Sequence, residues 1–272
     1  MGKTIHHHLI PLLLVVLIPT TVNETKATIV LLPLGLLATF IVASASNRRL
    51  RNGLIAVTAL SLFGSIFVPV YDYYVKPRWG YGIVEFFTME GRLEGYLERP
   101  RAGVGTREAG KVDAIVVPLK AIAREPAQLA FGYGIGNASE SALGEKFTGE
   151  YFRRFQPFRL STASVLIMET GVLGLALVLC LNFMIFRDAR FLAVRAPGLL
   201  GGLAAGSVGV VAVVTGAMFY TELMAYGSIS FLFWYFSGLV AAERMRLERA
   251  AVTRVASAEV YQPAAEVRGA VA

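Results

Sequence analysis

A hydrophilic block of about ninety residues, 71–160, sits between apolar stretches long enough to cross a membrane, three before it and three after it. A hydrocarbon core about 30 Å thick takes about twenty apolar residues of helix. The candidate spans are residues 9–22, 27–45, 53–70, 162–186, 199–220 and 228–242. A water-soluble domain does not bury that many uninterrupted apolar runs. The fold expected is therefore all-α: a polytopic membrane helix bundle of about six spans, with one large external loop between spans three and four. Residues 1–70 and 161–243 form the membrane part, 71–160 the loop and 244–272 a tail.

Composition agrees. The chain is 55% hydrophobic and 17% charged, with a mean hydropathy of +0.58, the balance of a membrane protein. The net charge of +7 would suit nucleic acid, but the basic residues are spread over segments that flank spans, so no nucleic-acid partner is expected. The single cysteine, Cys180, lies in an apolar run and has no internal disulfide partner. All three histidines, His6, His7 and His8, stand together near the start. Neither a metal site nor a cofactor is expected from this residue set.

The arginines set the sidedness. Arg48, Arg49 and Arg51 follow span two, Arg187, Arg190 and Arg195 follow span four, and Arg244, Arg246 and Arg249 follow span six. If all six segments cross, the three clusters share one side, which the positive-inside tendency assigns to the cytoplasm. Both termini are then cytoplasmic, the loop is periplasmic or extracellular, and the expected location is a bacterial cytoplasmic membrane. Span one is short and contains Pro11 and Pro19; no small-x-small cleavage site follows Ile18 to support a secretory signal, and a tilted or partial span is the other reading. The tail reads as a frayed helix followed by disorder, broken at Pro263.

Within the loop, residues 71–79 carry the aromatic and basic residues of an interfacial belt. Residues 83–97 and 111–123 repeat apolar positions at helical spacing. The string Phe131-Gly-Tyr-Gly-Ile-Gly-Asn-Ala-Ser139 follows; Gly132, Gly134 and Gly136 permit positive φ and exposed amides that suit an anion, or simply a tight surface turn. Directly before span four comes Tyr151-Phe-Arg-Arg-Phe-Gln-Pro-Phe-Arg159. Three arginines on the outer side run against the positive-inside tendency, and an anionic headgroup or diphosphate would compensate them; snorkelling anchors are the plainer reading.

The order of these features resembles the O-antigen polymerase and O-antigen ligase superfamily of bacterial envelope enzymes. Thr25-Lys-Ala-Thr28 at the start of span two is similar to that family's Ser-Arg-x-Ala-type entry, with Lys26 where an arginine is usual. Gly132-Tyr-Gly-Ile-Gly136 is similar to its loop glycine string. Leu166-Ile-Met-Glu-Thr-Gly-Val-Leu-Gly-Leu175 is similar to its Glu-x-Gly signature. The likeness covers roughly residues 20–186, and members usually have more spans, so this chain resembles their C-terminal half. One departure concerns the base. The family often places His-Asn about nine residues before the signature glutamate, where this chain has Leu160 and Ser161. Either a carboxylate, Glu150 or Glu169, substitutes, or positioning and leaving-group stabilisation suffice, or the protein is inactive.

The resemblance implies transfer of a glycan from a polyprenyl-diphosphate carrier to an acceptor sugar hydroxyl, without a metal or other cofactor. Lys26, Arg153, Arg154 and Arg159 would hold the diphosphate, whose departure builds negative charge. Glu169, ionisable and early in a span, would serve as base, with Lys26 as the catalytic cation. Tyr133, Gly134, Gly136 and Asn137 would contact sugar. The partners implied are the lipid-linked glycan, membrane lipids and other polysaccharide-assembly membrane proteins. Two other readings remain: a non-catalytic membrane assembly protein, which the small-residue face of span five would suit, and a transporter, which uncharged span centres disfavour.

Overall fold

A computed structural model describes residues 27–98, 101–103, 106–108, 110–141, 143–155, 161–223 and 227–269. Residues 9–22, expected as span one, lie outside them, as do Lys26 and Arg159. The described chain is helical apart from one small antiparallel hairpin, β1 (Arg101–Gly103) and β2 (Thr106–Glu108). That hairpin occupies the Pro- and Gly-rich break of the loop.

Helix α1 (Thr28–Leu37) continues into a π-helical turn (Ala38–Val42), and a 3₁₀ turn (Ser46–Arg48) leads into α2 (Arg49–Trp79). Pro33, Pro69 and Pro77 lie inside these helices, each removing one backbone donor. Helix α2 ends on Gly80, whose φ of 74° places it in the left-handed region and whose N–H bonds the Lys76 carbonyl at 2.8 Å. The chain then folds back: Asp72 accepts from the Ile83 N–H at 2.7 Å, and Lys76 pairs with Glu85 at 2.7 Å.

Among the described residues the loop carries five short α-helices: α3 (Ile83–Thr88), α4 (Arg92–Leu97), α5 (Asp113–Ile122), α6 (Pro126–Phe131) and α7 (Glu150–Phe155). The apolar periodicity over 83–97 predicts one helix. Gly91, at φ 75°, divides it into two. Pro126 does not merely follow α5; it opens α6 at the position where its missing N–H costs no hydrogen bond.

Helices α8 (Thr162–Arg195), α9 (Gly198–Ala217) and α10 (Gly227–Gly269) complete the bundle. The start of α8 is fully capped. Ser161 and Ser164 bond reciprocally, the Thr162 N–H bonds Thr221 O at 3.1 Å, and the Ala163 N–H bonds Met218 O at 2.9 Å. Ser164 Oγ reaches the Ala114 carbonyl of α5 at 2.7 Å. The donors that a helix start leaves unpaired thus tie α8 to the end of α9 and to the loop. Ala189, Leu192, Ala204, Val208 and Val240 form the core at the opposite end. The basic clusters gather there too. Arg190 Nε bonds Val42 O at 3.1 Å, and Arg244 pairs with Asp188.

Helices α2, α8 and α9 are each long and apolar enough to cross a membrane. The apolar part of α1 covers Ile29–Val42, less than a full crossing. Helix α10 runs unbroken to Gly269, through Pro263, where the sequence suggests a break.

Candidate functional site

Helix α8 is broken at Gly171, whose φ of 70° and ψ of −171° lie outside the helical region. A break there interrupts the N–H to i−4 carbonyl ladder and frees the carbonyls just before it. The loop replaces the missing donors. The Tyr133 N–H bonds Met168 O at 2.6 Å and the Gly134 N–H bonds Glu169 O at 3.1 Å. Two glycines make the approach possible. A Cβ on Gly132, itself at φ 72°, would come within 2.6 Å of the Glu169 carbonyl carbon. A Cβ on Gly171 would collide with the Ala130 carbonyl.

The side chain of Glu169 is held by the same loop: its Oε1 accepts from the Ala138 N–H at 3.1 Å. The glycine string therefore grips Glu169 twice, once at its carbonyl and once at its carboxylate. Asn137 closes the turn, its Nδ2 donating to Tyr133 O at 2.8 Å. A second layer supports it. The Phe152 N–H bonds Asn137 O at 3.1 Å, and the rings of Tyr133 and Tyr151 stack with centroids 3.7 Å apart and planes 5° off parallel. Ala138, Phe155 and Met168 are buried beneath. Burial, and then the neighbouring Tyr151, push the Tyr133 phenol above its ordinary range, against the pull of Arg154 and Arg124.

The arginines divide. Arg153 donates to the carbonyls of Glu145 at 3.2 Å and Thr148 at 3.3 Å, so it clamps the loop 145–148. Arg154 lies over the Phe155 ring at 5.7 Å and is close enough to Tyr133 to act on its phenol. Gly134 and Gly136 have positive φ, 99° and 86°. The Gly134 amide is committed to α8, while Gly136 faces open space.

Glu222 lies just past span five, a position that reads from the sequence as a solvated connector. In the structure it is half-buried, and burial followed by the charges of Glu140 and Glu169 holds its carboxyl above the usual carboxylate range. Glu140 and Glu169 therefore both act on Glu222 at this end of the bundle. Among the described residues no group of three His, Cys, Asp or Glu side chains is placed to hold a metal ion.

An apolar cavity of about 460 Å³ is lined by Val30, Leu31, Phe86, Ile115 and Phe219, among others, from α1, the loop and the end of α9. Lys111 also lines it, its Nζ 4.6 Å from the centre of the Tyr220 ring. Ala27, the first described residue, contributes too.

No protein-family profile, curated protein or solved structure matches this chain.

Proposed function

We propose that the chain is a membrane glycan polymerase or ligase of the O-antigen type, moving an oligosaccharide from a polyprenyl diphosphate to an acceptor sugar on the outer side of the cytoplasmic membrane. One observation carries the reading. The glycine string and the segment 168–171, about 35 residues apart in sequence, meet through three hydrogen bonds, two at the backbone carbonyls of Met168 and Glu169 and one at the Glu169 carboxylate. An ionisable side chain early in an apolar helix, gripped from outside by a loop, is arranged for chemistry.

In this reading Glu169 takes the proton of the acceptor hydroxyl. Arg154, with Lys26 and Arg159 beyond the described residues, balances the charge of the departing diphosphate. The apolar cavity at the same end suits the first isoprene units of the carrier, and Lys111 at its wall suits the adjoining phosphate. The gathering of the arginine clusters at the opposite end agrees with a cytoplasmic face there and an outer face for the loop. In this reading α10 crosses as well, and the first of the six expected crossings, residues 9–22, lies outside the described residues.

A non-catalytic assembly role is the second reading. It is favoured by the fact that Arg153 and Asn137 are engaged within the loop itself. The two readings separate in a deletion strain carrying either the wild-type chain or Glu169→Gln at equal membrane levels, scored for lipid-linked and surface glycan. Loss of polymer or of transfer with Glu169→Gln supports the enzyme. Full restoration by Glu169→Gln supports the assembly role.

A further inference from the structure

We infer that the turn from Gly132 to Gly134 is a splint that positions Glu169, so that Gly132, Gly171 and Asn137 are positioning residues for the reaction proposed above, on which this inference rests. In an unbroken helix, the carbonyls of Met168 and Glu169 would accept from residues 172 and 173 of α8 itself, and the glutamate side chain would be free to choose its rotamer. The break at Gly171 hands both carbonyls to the loop. The direction of the Glu169 side chain then depends on a segment 31–36 residues earlier, through the Ala138 amide.

The fit is reciprocal. Gly132 leaves no room for a side chain against the backbone of Glu169, and Gly171 leaves none against that of Ala130. Each glycine is thus required by the other's backbone as well as by its own φ. Asn137 keeps the turn closed from the exposed side. A shift of about 1 Å in a reacting group costs on the order of 10²-fold in turnover. A methyl group at Gly132 demands a shift of that size, since it would lie 2.6 Å from the Glu169 carbonyl carbon.

The test uses the full chain in membrane vesicles supplied with lipid-linked repeat units, with four variants compared at equal protein level. Glu169→Gln and Gly132→Ala should each lower kcat by about 10²-fold with KM for the donor within about twofold of wild type. Asn137→Ala, a gentler change at an exposed position, should lower kcat by about tenfold, again without raising KM; a residue that only bound sugar would raise KM instead. Gly91→Ala carries the same left-handed backbone penalty with open space around it and should leave kcat unchanged. Hydrogen exchange at the amides of Tyr133 and Gly134 supplies a readout independent of turnover: protected in wild type and Glu169→Gln, exposed in Gly132→Ala.

Normal turnover in Glu169→Gln would overturn the reading of Glu169 as base and this inference with it. An inactive Glu169→Gln beside fully active Gly132→Ala and Asn137→Ala would overturn the splint alone. Should Gly132→Ala fail to accumulate, the kcat-against-KM outcome for Asn137→Ala decides.

Discussion

Gly35 and Gly209 face each other across the contact between α1 and α9: a Cβ on Gly209 would lie 2.7 Å from the Gly35 carbonyl oxygen. A Cβ on Gly35 would lie 2.6 Å from Val213 Cγ2. Helices approach this closely in a membrane only where side chains are missing, because dispersion between backbones, not water release, drives the contact. Gly202, two turns earlier on the same face of α9, meets nothing within 4 Å. Gly209→Val is therefore expected to destabilise the bundle by about 1–3 kcal/mol, and Gly202→Val to leave it unchanged, in thermal unfolding in detergent.

The pair Arg244–Asp188 joins α10 to α8 with both side chains only 20% exposed. Each has a second partner: Glu248 at 3.0 Å from Arg244, and Arg187 at 3.9 Å from Asp188. A double-mutant cycle with Asp188→Asn and Arg244→Met should give a coupling of about 1–2 kcal/mol. A coupling near zero would mean that α10 is held by its apolar contacts alone.

Glu222 gives the stability a pH dependence of defined sign. Its carboxyl is raised in the folded state by burial and by Glu140 and Glu169. The folded chain therefore binds the proton more tightly than the unfolded one. Its contribution is fully present below the ordinary carboxylate pKa of about 4.3 and is lost as pH rises through the folded value. Unfolding temperatures at pH 5 and pH 8 should differ less in Glu222→Gln than in wild type, with the variant gaining at the higher pH.

Arg153 and Arg154, adjacent in sequence, should respond differently to removal. Arg153→Ala is expected to release the segment 145–148, raising hydrogen exchange at Thr148 and Phe147, without altering donor KM. Arg154→Ala is expected to leave that exchange unchanged and to raise donor KM severalfold, as loss of a charge-assisted contact does. Equal effects on both readouts from both variants would contradict this division.

Three of the six expected spans, now α2, α8 and α9, were legible because hydropathy over twenty residues is a property of the segment itself. Glu169 was legible for the same reason, as a charge misplaced in an apolar run. The loop was less so. The periodicity over 83–97 was real, yet one left-handed glycine at 91 divided it. Arg153 and Arg154 look alike in the chain and differ only through which carbonyls lie within reach. Glu222 read as exposed because its neighbours Glu140 and Glu169 come from distant segments. The Glu-x-Gly signature singled out Gly171, but not its backbone conformation. A glycine in an apolar helix reads as a packing residue, and only its φ reveals a break.

The order of the two partners at that break has a consequence for biosynthesis. The glycine string leaves the ribosome about 35 residues ahead of Gly171, so the donors for Met168 and Glu169 are already made when α8 is inserted. Two bare carbonyls entering hydrocarbon would each cost several kcal/mol. A chain with the same elements in reverse order would have to hold that penalty until its loop was synthesised, whereas this one can seat α8 against a waiting cap and complete the break as the helix arrives.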